Sequence, residues 1–487
     1  MGCGVMAVIN QGGNSSAETF GFTRYLLEEL KTRGQQGCGI TMYDDSGLQR
    51  YRGLGLPKEV FAPTVIENSA FRGKVGIGHT RYKTKGKNSP ANAHPVRVSK
   101  NGLTLDLTMN GEISEHHLWR DELERKGVDF YGSGNDTSTI GGILLQECCE
   151  KKDPLEALES TYNKIFGYGG FTLIGLYKDP KRENDCMFYA RDGIRPLSRC
   201  EFSSDQEDFI AFASETAPFE NLGGKNITEV NAGEIGVYNI GSGEFETKRM
   251  DRSNPPCFFE YVYEMRPDSL AMGKPLNYLR QALGGMLKLE HPAVPNAIIV
   301  GLPNSGLSYG GGYGATDRNI FMKNPTQEFL RSFMFDQPEL RKEKARNGLS
   351  VIGEVRDRPV IMVDDSIVRN TVGPVAAEKL RKKGASEVHI RVGSPPIIGP
   401  CGSGIDTHME DLIVTALKFD PRKVAENHEA FEKKLAEHSG FDSVGYLSNE
   451  GAKKICGNCC YGCVKGIYPY HFEGLEKTPF SSEADIG

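Results

Sequence analysis

The chain predicts two units of different class: an α+β domain over residues 1–250 and an α/β domain over 251–424. Two textures predict this. The first half strings short β-rich runs between glycine turns, whereas the second repeats strand, loop and helix. A last segment, 425–487, is charged and helical and then rich in cysteine. With 487 residues, more than one hydrophobic core is expected.

The elements follow in order. VMAVIN, from Val5, reads as a strand. TRYLLEELKTRG reads as an amphipathic helix, with Phe22, Tyr25, Leu26 and Leu30 on one stripe and Gly34 as its stop. LTLDLTMNG, GGFTLIGLY, CMFYARDG, DFIAFASE and GEIGVYNI read as further strands, and STIGGILLQECCEKK as a helix among them. The texture changes near Asn254-Pro255-Pro256. The helix NYLRQALGGMLKLEHP then leads to AIIVGLPNSG, PVIMVDDSIVRNTVGPVAAEKLRKKG and SEVHIRVGSPP, the βαβ rhythm of a parallel sheet.

Composition excludes several classes. A formal net charge of −6 supplies no global field for nucleic acid or an anionic membrane, so any phosphate site is local. The apolar runs are too short to span a bilayer and the start lacks a secretion pattern, which predicts a cytoplasmic protein. The opening MGCGVM fails as an N-myristoylation signal, because Met6 stands where serine or threonine is wanted. The twelve cysteines are no disulfide framework in a chain of this size. Four of them crowd into ICGNCCYGC, Cys456 to Cys463, at metal-like spacing.

The most informative stretch is VIMVDDSIVRNTVGPVAAEKL. Asp364 and Asp365 close a buried strand, where open α/β sheets bind ligands. The following loop carries Ser366, Arg369, Asn370, Thr371 and Gly373, with Pro374 suited to a first helical turn. Backbone N–H groups ahead of a helix form an anion site. Paired carboxylates there suit ribose hydroxyls or Mg²⁺ rather than the phosphate itself.

VIMVDDSIVRNT resembles the phosphoribosyl diphosphate loop of type I phosphoribosyltransferases, and VDDSIVR resembles that of the amidophosphoribosyltransferase family. The likeness extends in order through RGQQGCGI, GHTRYKT, NAHP, MNGE, NDTS, RDGIRPL, ASET, FFEYVYEMRPDS, LPNSG, GASEVHIRVGSPPI, PCGSGIDT and GIYP. It implies an N-terminal-nucleophile hydrolase αββα sandwich followed by a type I phosphoribosyltransferase domain. It implies glutamine and phosphoribosyl diphosphate as substrates, 5-phosphoribosylamine as product and a homo-oligomeric, tetrameric assembly.

The resemblance also implies roles. Cys3 becomes the nucleophile once Met1 and Gly2 are removed, because the chemistry needs a thiol and a free α-amine on one residue. A thiol near pKa 8.5 is mostly protonated at pH 7, and an amine titrating near 8 can shuttle its proton. Asn110 and Gly111 match the oxyanion donors. Arg81 matches the partner of the glutamine α-carboxylate, Asp136 that of its α-ammonium, and Arg33 lies near this pocket. Asp364 and Asp365 hold ribose and, with Ser305, Mg²⁺. Ser366, Arg369, Asn370 and Thr371 cradle the 5′-phosphate. Arg331 and the run RKEKAR fall in a mobile lid. Cys257, Cys401 and a tail C-x-x-C match the thiolates of a [4Fe–4S] cluster, favoured by resemblance over Zn²⁺. Both Cys456/Cys459 and Cys460/Cys463 have the spacing, and GIYP favours the latter.

Some positions depart from the family. Asn370 stands for glycine, Val372 for threonine, Gly373 for serine, Asn304 for aspartate, Ser138 for glutamate and Lys83 for a small hydroxyl residue. The segment KNPTQEFLRSF is two residues longer than usual and RDGIRPL two shorter. These departures leave two alternatives: a glutaminase feeding ammonia to another acceptor, and a non-enzymatic nucleotide-binding regulator.

Overall fold

The computed structural model describes residues 2–12, 16–67, 71–82, 89–151, 153–181, 185–204, 207–317, 319–324 and 338–480. Arg331, Lys83 and most of the KNPTQEFLRSF segment lie outside them.

The first half builds two antiparallel sheets face to face. Its strands are β1 (Gly4–Asn10), β2 (Gly37–Asp44), β3 (Gly47–Leu54), β4 (Val75–Arg81), β5 (Val96–Lys100), β6 (Leu103–Ile113), β7 (Gly169–Lys178), β8 (Cys186–Arg191), β9 (Ser198–Ser204), β10 (Glu207–Ala213), β11 (Lys225–Glu229), β12 (Glu234–Asn239) and β13 (Phe245–Arg249). Among the described residues one sheet has the order β11-β9-β10-β1-β4-β2-β3 and the other β13-β12-β8-β7-β6-β5.

Strand β1 shows why this sheet is central. Val5, Ala7 and Ile9 pack with Ile174, Leu176 and Met187 of the opposite sheet. Met6 and Val8 point the other way, onto Leu26, Leu27 and Leu30. A strand covered on both faces reads as a continuous apolar run, which GVMAVIN does. The covering helix spans Ala17–Glu29, with Ser16 as its N-cap, and ends in a 3-10 turn over Leu30–Thr32. It begins earlier than the apolar stripe alone suggests, because the Ser16 Oγ accepts from the Glu18 N–H. On the far side, the helices Asp136–Lys151 and Pro154–Ile165 pack on the second sheet through Ile140, Leu144, Leu158 and Tyr162. The layers therefore run helix, sheet, sheet, helix.

The second half carries a parallel sheet of β14 (Ile298–Gly301), β15 (Pro359–Asp364), β16 (Glu387–Val392) and β17 (Ser443–Tyr446), in that order. Strand β17 falls in the segment set apart from residue 425 onward. It completes this sheet by pairing with β16 from His389 to Val392. Within FFEYVYEMRPDS, Glu260–Glu264 forms a π-helix.

Candidate active sites and their geometry

Cys3 lies just before β1, buried at the end of an inner strand of the first sheet. Its thiol faces the Tyr82 main chain, donating to the C=O and accepting from the N–H, each at 3.4 Å. Burial pushes the thiol above its ordinary pKa, while the Tyr82 contact and the Arg81 and Arg33 charges pull the other way.

Asn110 closes the buried run 105–110 of β6. Its Nδ2 and Oδ1 are both buried and have no hydrogen-bond partner among the described residues. An unpaired buried amide costs about 1–3 kcal/mol for each group left unsatisfied, so this one is poised for a ligand. Gly111 has φ +138°, and a Cβ there would lie 2.0 Å from the Gly170 carbonyl oxygen. Only glycine fits that approach. Asp136 opens its helix and accepts from the N–H groups of Ile113 (3.1 Å) and Thr137 (2.8 Å). Burial lowers the Arg81 pKa, and the charges of Cys3 and Asp136 oppose the drop, which places all three in one electrostatic neighbourhood. Ser138 bonds within the helix start, to the Asn135 C=O, and accepts from Arg120.

Arg33, read from the sequence as a glutamine-binding residue, is held by three protein oxygens. Its Nε donates to the Cys3 C=O (2.9 Å), Nη1 to Glu215 (2.7 Å) and Nη2 to Glu260 (2.6 Å), all fully buried. Three nitrogens committed to protein oxygens make it a buttress behind the nucleophile. Glu260 also accepts from Arg195 (3.0 Å), whose Nε donates to the Ser403 C=O (2.7 Å). The motif reading left Glu215, Glu260 and Arg195 unassigned. A glutamate among aromatics in FFEYVYEM was the one visible signal. His79 and His94 pack against each other with ring centroids 4.2 Å apart and planes tilted by 40°. Burial holds both neutral, His79 at about 3. His79 Nε2 lies 3.1 Å from the Met109 C=O, bracing β4 against β6.

The second candidate site sits at the C-terminal ends of the parallel strands. Burial, then the Asp365 charge, raises the Asp364 carboxyl well above the usual range. Two acids in contact cannot both ionise cheaply without a cation. The start of the helix Gly306–Tyr313 abuts them: a Cβ on Gly306 would lie 3.3 Å from Asp364 Oδ1, which brings the Ser305 turn beside the pair. Asn370 adopts φ +52°, a left-handed conformation that asparagine tolerates. Its Nδ2 donates to Ser439 Oγ (2.6 Å). Thr371 N-caps the helix Val372–Lys382 without a side-chain bond, leaving the first N–H groups for an anion. Arg369 pairs with Asp411 (2.6 Å) while its Nε is buried without a partner among the described residues. A Cβ on Gly373 would lie 3.0 Å from Phe441 Cζ, so Phe441 occupies the space a larger residue needs.

Cys257, Cys401, Cys460 and Cys463 line one largely apolar cavity with Phe259, Ile405 and Tyr470. Cys456 and Cys459 do not line it; the Cys459 thiol donates instead to the Cys456 C=O (3.3 Å). Among the described residues no three His, Cys, Asp or Glu side chains converge on a single ion position. No helix among them is long and apolar enough to cross a membrane.

Comparison with known proteins fits this geometry. Residues 79–221 match the glutamine amidotransferase domain family. Amidophosphoribosyltransferase of Methanocaldococcus jannaschii is 30% identical over 91% of this chain and 93% of its own length. That of Bacillus subtilis is 32% identical over 99% and 97%. Among solved structures, glutamine phosphoribosylpyrophosphate amidotransferase from B. subtilis, complexed with ADP and GMP, superposes with a TM-score of 0.78 at 29% identity, covering 97% of this chain and 98% of that one. An allosteric regulatory enzyme of purine biosynthesis gives 0.79 at 28%, covering 99% and 100%.

Fold and sites together define a two-domain glutamine amidotransferase: an N-terminal-nucleophile sandwich joined to a phosphoribosyltransferase sheet. More narrowly, the chain belongs to the amidophosphoribosyltransferase family.

Proposed function

We propose that this chain converts glutamine, phosphoribosyl diphosphate and water to 5-phosphoribosylamine, glutamate and diphosphate, the first step of purine nucleotide synthesis. The observation that carries the reading is the unpartnered, buried Asn110 amide, which lies against Gly2, the residue before Cys3.

With Met1 and Gly2 removed, the Cys3 α-amine takes the thiol proton and Sγ attacks the glutamine amide carbon. Asn110 Nδ2 and the Gly111 N–H receive the oxyanion. The amine returns its proton to the departing ammonia, and water releases glutamate from the thioester. Arg81 pairs the substrate α-carboxylate in a two-pronged contact. Asp136, whose Oδ2 takes one bond from the Ile113 N–H and keeps a second lone pair, accepts from the α-ammonium.

In the second domain the Ser366–Thr371 loop and the following helix start bind the 5′-phosphate, with Arg369 beside them. Asp364 and Asp365 hold the ribose hydroxyls, and Arg331 belongs to a segment that closes over the substrate. Ser305 and the two aspartates also suit Mg²⁺, which when bound neutralises the leaving diphosphate. Ammonia then displaces diphosphate at the ribose carbon. Cys257, Cys401, Cys460 and Cys463 suit a structural [4Fe–4S] cluster, since four thiols share a cavity outside both catalytic groups. The protein acts as a cytoplasmic homo-oligomer.

Paired assays test this. Phosphoribosylamine formation is measured with glutamine and, separately, with ammonia. Cys3→Ala abolishes the first and preserves the second. No product from either nitrogen source in the wild type would reject the reading.

A further inference from the structure

Gly2 is buried, and its N–H donates to Glu264 Oε2 at 3.0 Å. A Cβ on Gly2 would lie 2.8 Å from Arg33 Nη2, 3.0 Å from Asn110 Oδ1 and 3.3 Å from Glu260 Oε1. The residue ahead of the nucleophile is therefore seated against the amide that would receive the oxyanion, in a cage where any side chain must displace a charged or polar neighbour. Glu260 and Glu264 are the two ends of the π-helix Glu260–Glu264. Glu260 is bound to Arg33 and Arg195. Glu264, also buried, holds the leader and has no part in the chemistry proposed above.

We propose that Glu264 is a positioning residue for amino-terminal maturation: it seats Gly2 so that the Gly2–Cys3 peptide lies beside Asn110, and the seated leader fills the glutamine pocket until it is removed. This rests on the reading of Cys3 as nucleophile. Removal is hydrolysis of the Gly2–Cys3 bond. The C–N bond breaks, the water oxygen joins the Gly2 carbonyl carbon, and the Cys3 nitrogen gains a proton. The new Gly2 carboxylate then faces Glu260 and Glu264, and like charge expels the leader.

The test compares wild type, Glu264→Gln, Glu264→Leu, and a Glu264→Leu chain from which Gly2 is deleted. In the deleted chain Met1 directly precedes Cys3 and is removed by the host's methionine aminopeptidase. Intact mass reports the fraction beginning at Cys3, and ammonia-dependent activity reports a folded second domain. The leucine variant should accumulate chains that keep Gly2, with maturation slowed about tenfold or more, the usual effect of losing a hydrogen bond to a charged group. Glutamine retains an acceptor oxygen and should restore maturation. Deleting Gly2 should restore glutamine-dependent activity to the leucine variant. Normal maturation of Glu264→Leu, or a deleted chain that begins at Cys3 yet still fails with glutamine, overturns the proposal. A wild type that begins at Cys3 but does not use glutamine overturns the functional reading instead.

Discussion

Replacing Asn110 with alanine separates function from stability in opposite directions. The free protein buries the Asn110 Nδ2 and Oδ1 without partners among the described residues. Removing an oxyanion donor lowers kcat by about 100- to 1,000-fold, or ~2.7–4 kcal/mol of transition-state binding. Removing two unsatisfied polar atoms relieves a penalty of about 1–3 kcal/mol each. The methyl-sized gap left behind costs about 1 kcal/mol. The fold should therefore hold steady or gain up to a few kcal/mol, with roughly 2–4 °C in midpoint per kcal/mol for a domain of this size. The assay pairs thermal unfolding of the N-terminal domain with glutamine- and ammonia-dependent rates. Glutamine turnover should collapse, ammonia turnover should persist and the midpoint should not fall. A variant that loses several degrees while keeping glutamine turnover within tenfold of wild type would refute the reasoning, because Asn110 would then be a structural amide.

Gly373→Ser restores a family hydroxyl but places a Cβ against Phe441, so on its own it should destabilise the fold by about 1–3 kcal/mol without tightening phosphoribosyl diphosphate binding. Pairing it with Phe441→Leu should recover stability and lower the KM, as read by calorimetry and initial rates. Cys460→Ser or Cys257→Ser should abolish bound iron and sulfide in anaerobically purified protein, whereas Cys456→Ser should leave both in place, because only the first two line the shared cavity. Burial depresses the folded-state pKa of both His79 and His94, His79 to about 3. In the unfolded chain each binds a proton below about pH 6.5. Stability from this pair is thus present above that value and is lost as pH falls from there toward 3. Unfolding midpoints should drop over that window, and less steeply in His79→Gln.

What the sequence displayed, and what it hid, divides along physical lines. Strand β1 was legible because alternate residues face two apolar cores and leave an unbroken run from Gly4 to Ile9. Paired aspartates after VIMV were legible because strand ends concentrate ligand groups. The contacts of Arg33 were not, because an arginine in a glutaminase-like motif carries no local sign of two buried glutamates 182 and 227 residues away. The same holds for Glu260: its partners come from distant parts of the chain, and local pattern carries no record of them. The π-helix was also hidden, since EYVYE has no period that separates it from an α-turn. Phe441, from a separate helix-to-strand connection, explains Gly373 only in three dimensions.

The most direct test of the central claim is the intact mass of the native chain, taken alongside its glutamine-dependent synthesis of phosphoribosylamine. A mass beginning at Cys3 in the active fraction, with activity rising in proportion to that fraction, is the predicted result. Full glutamine-dependent activity in protein that still carries Gly2 would contradict it.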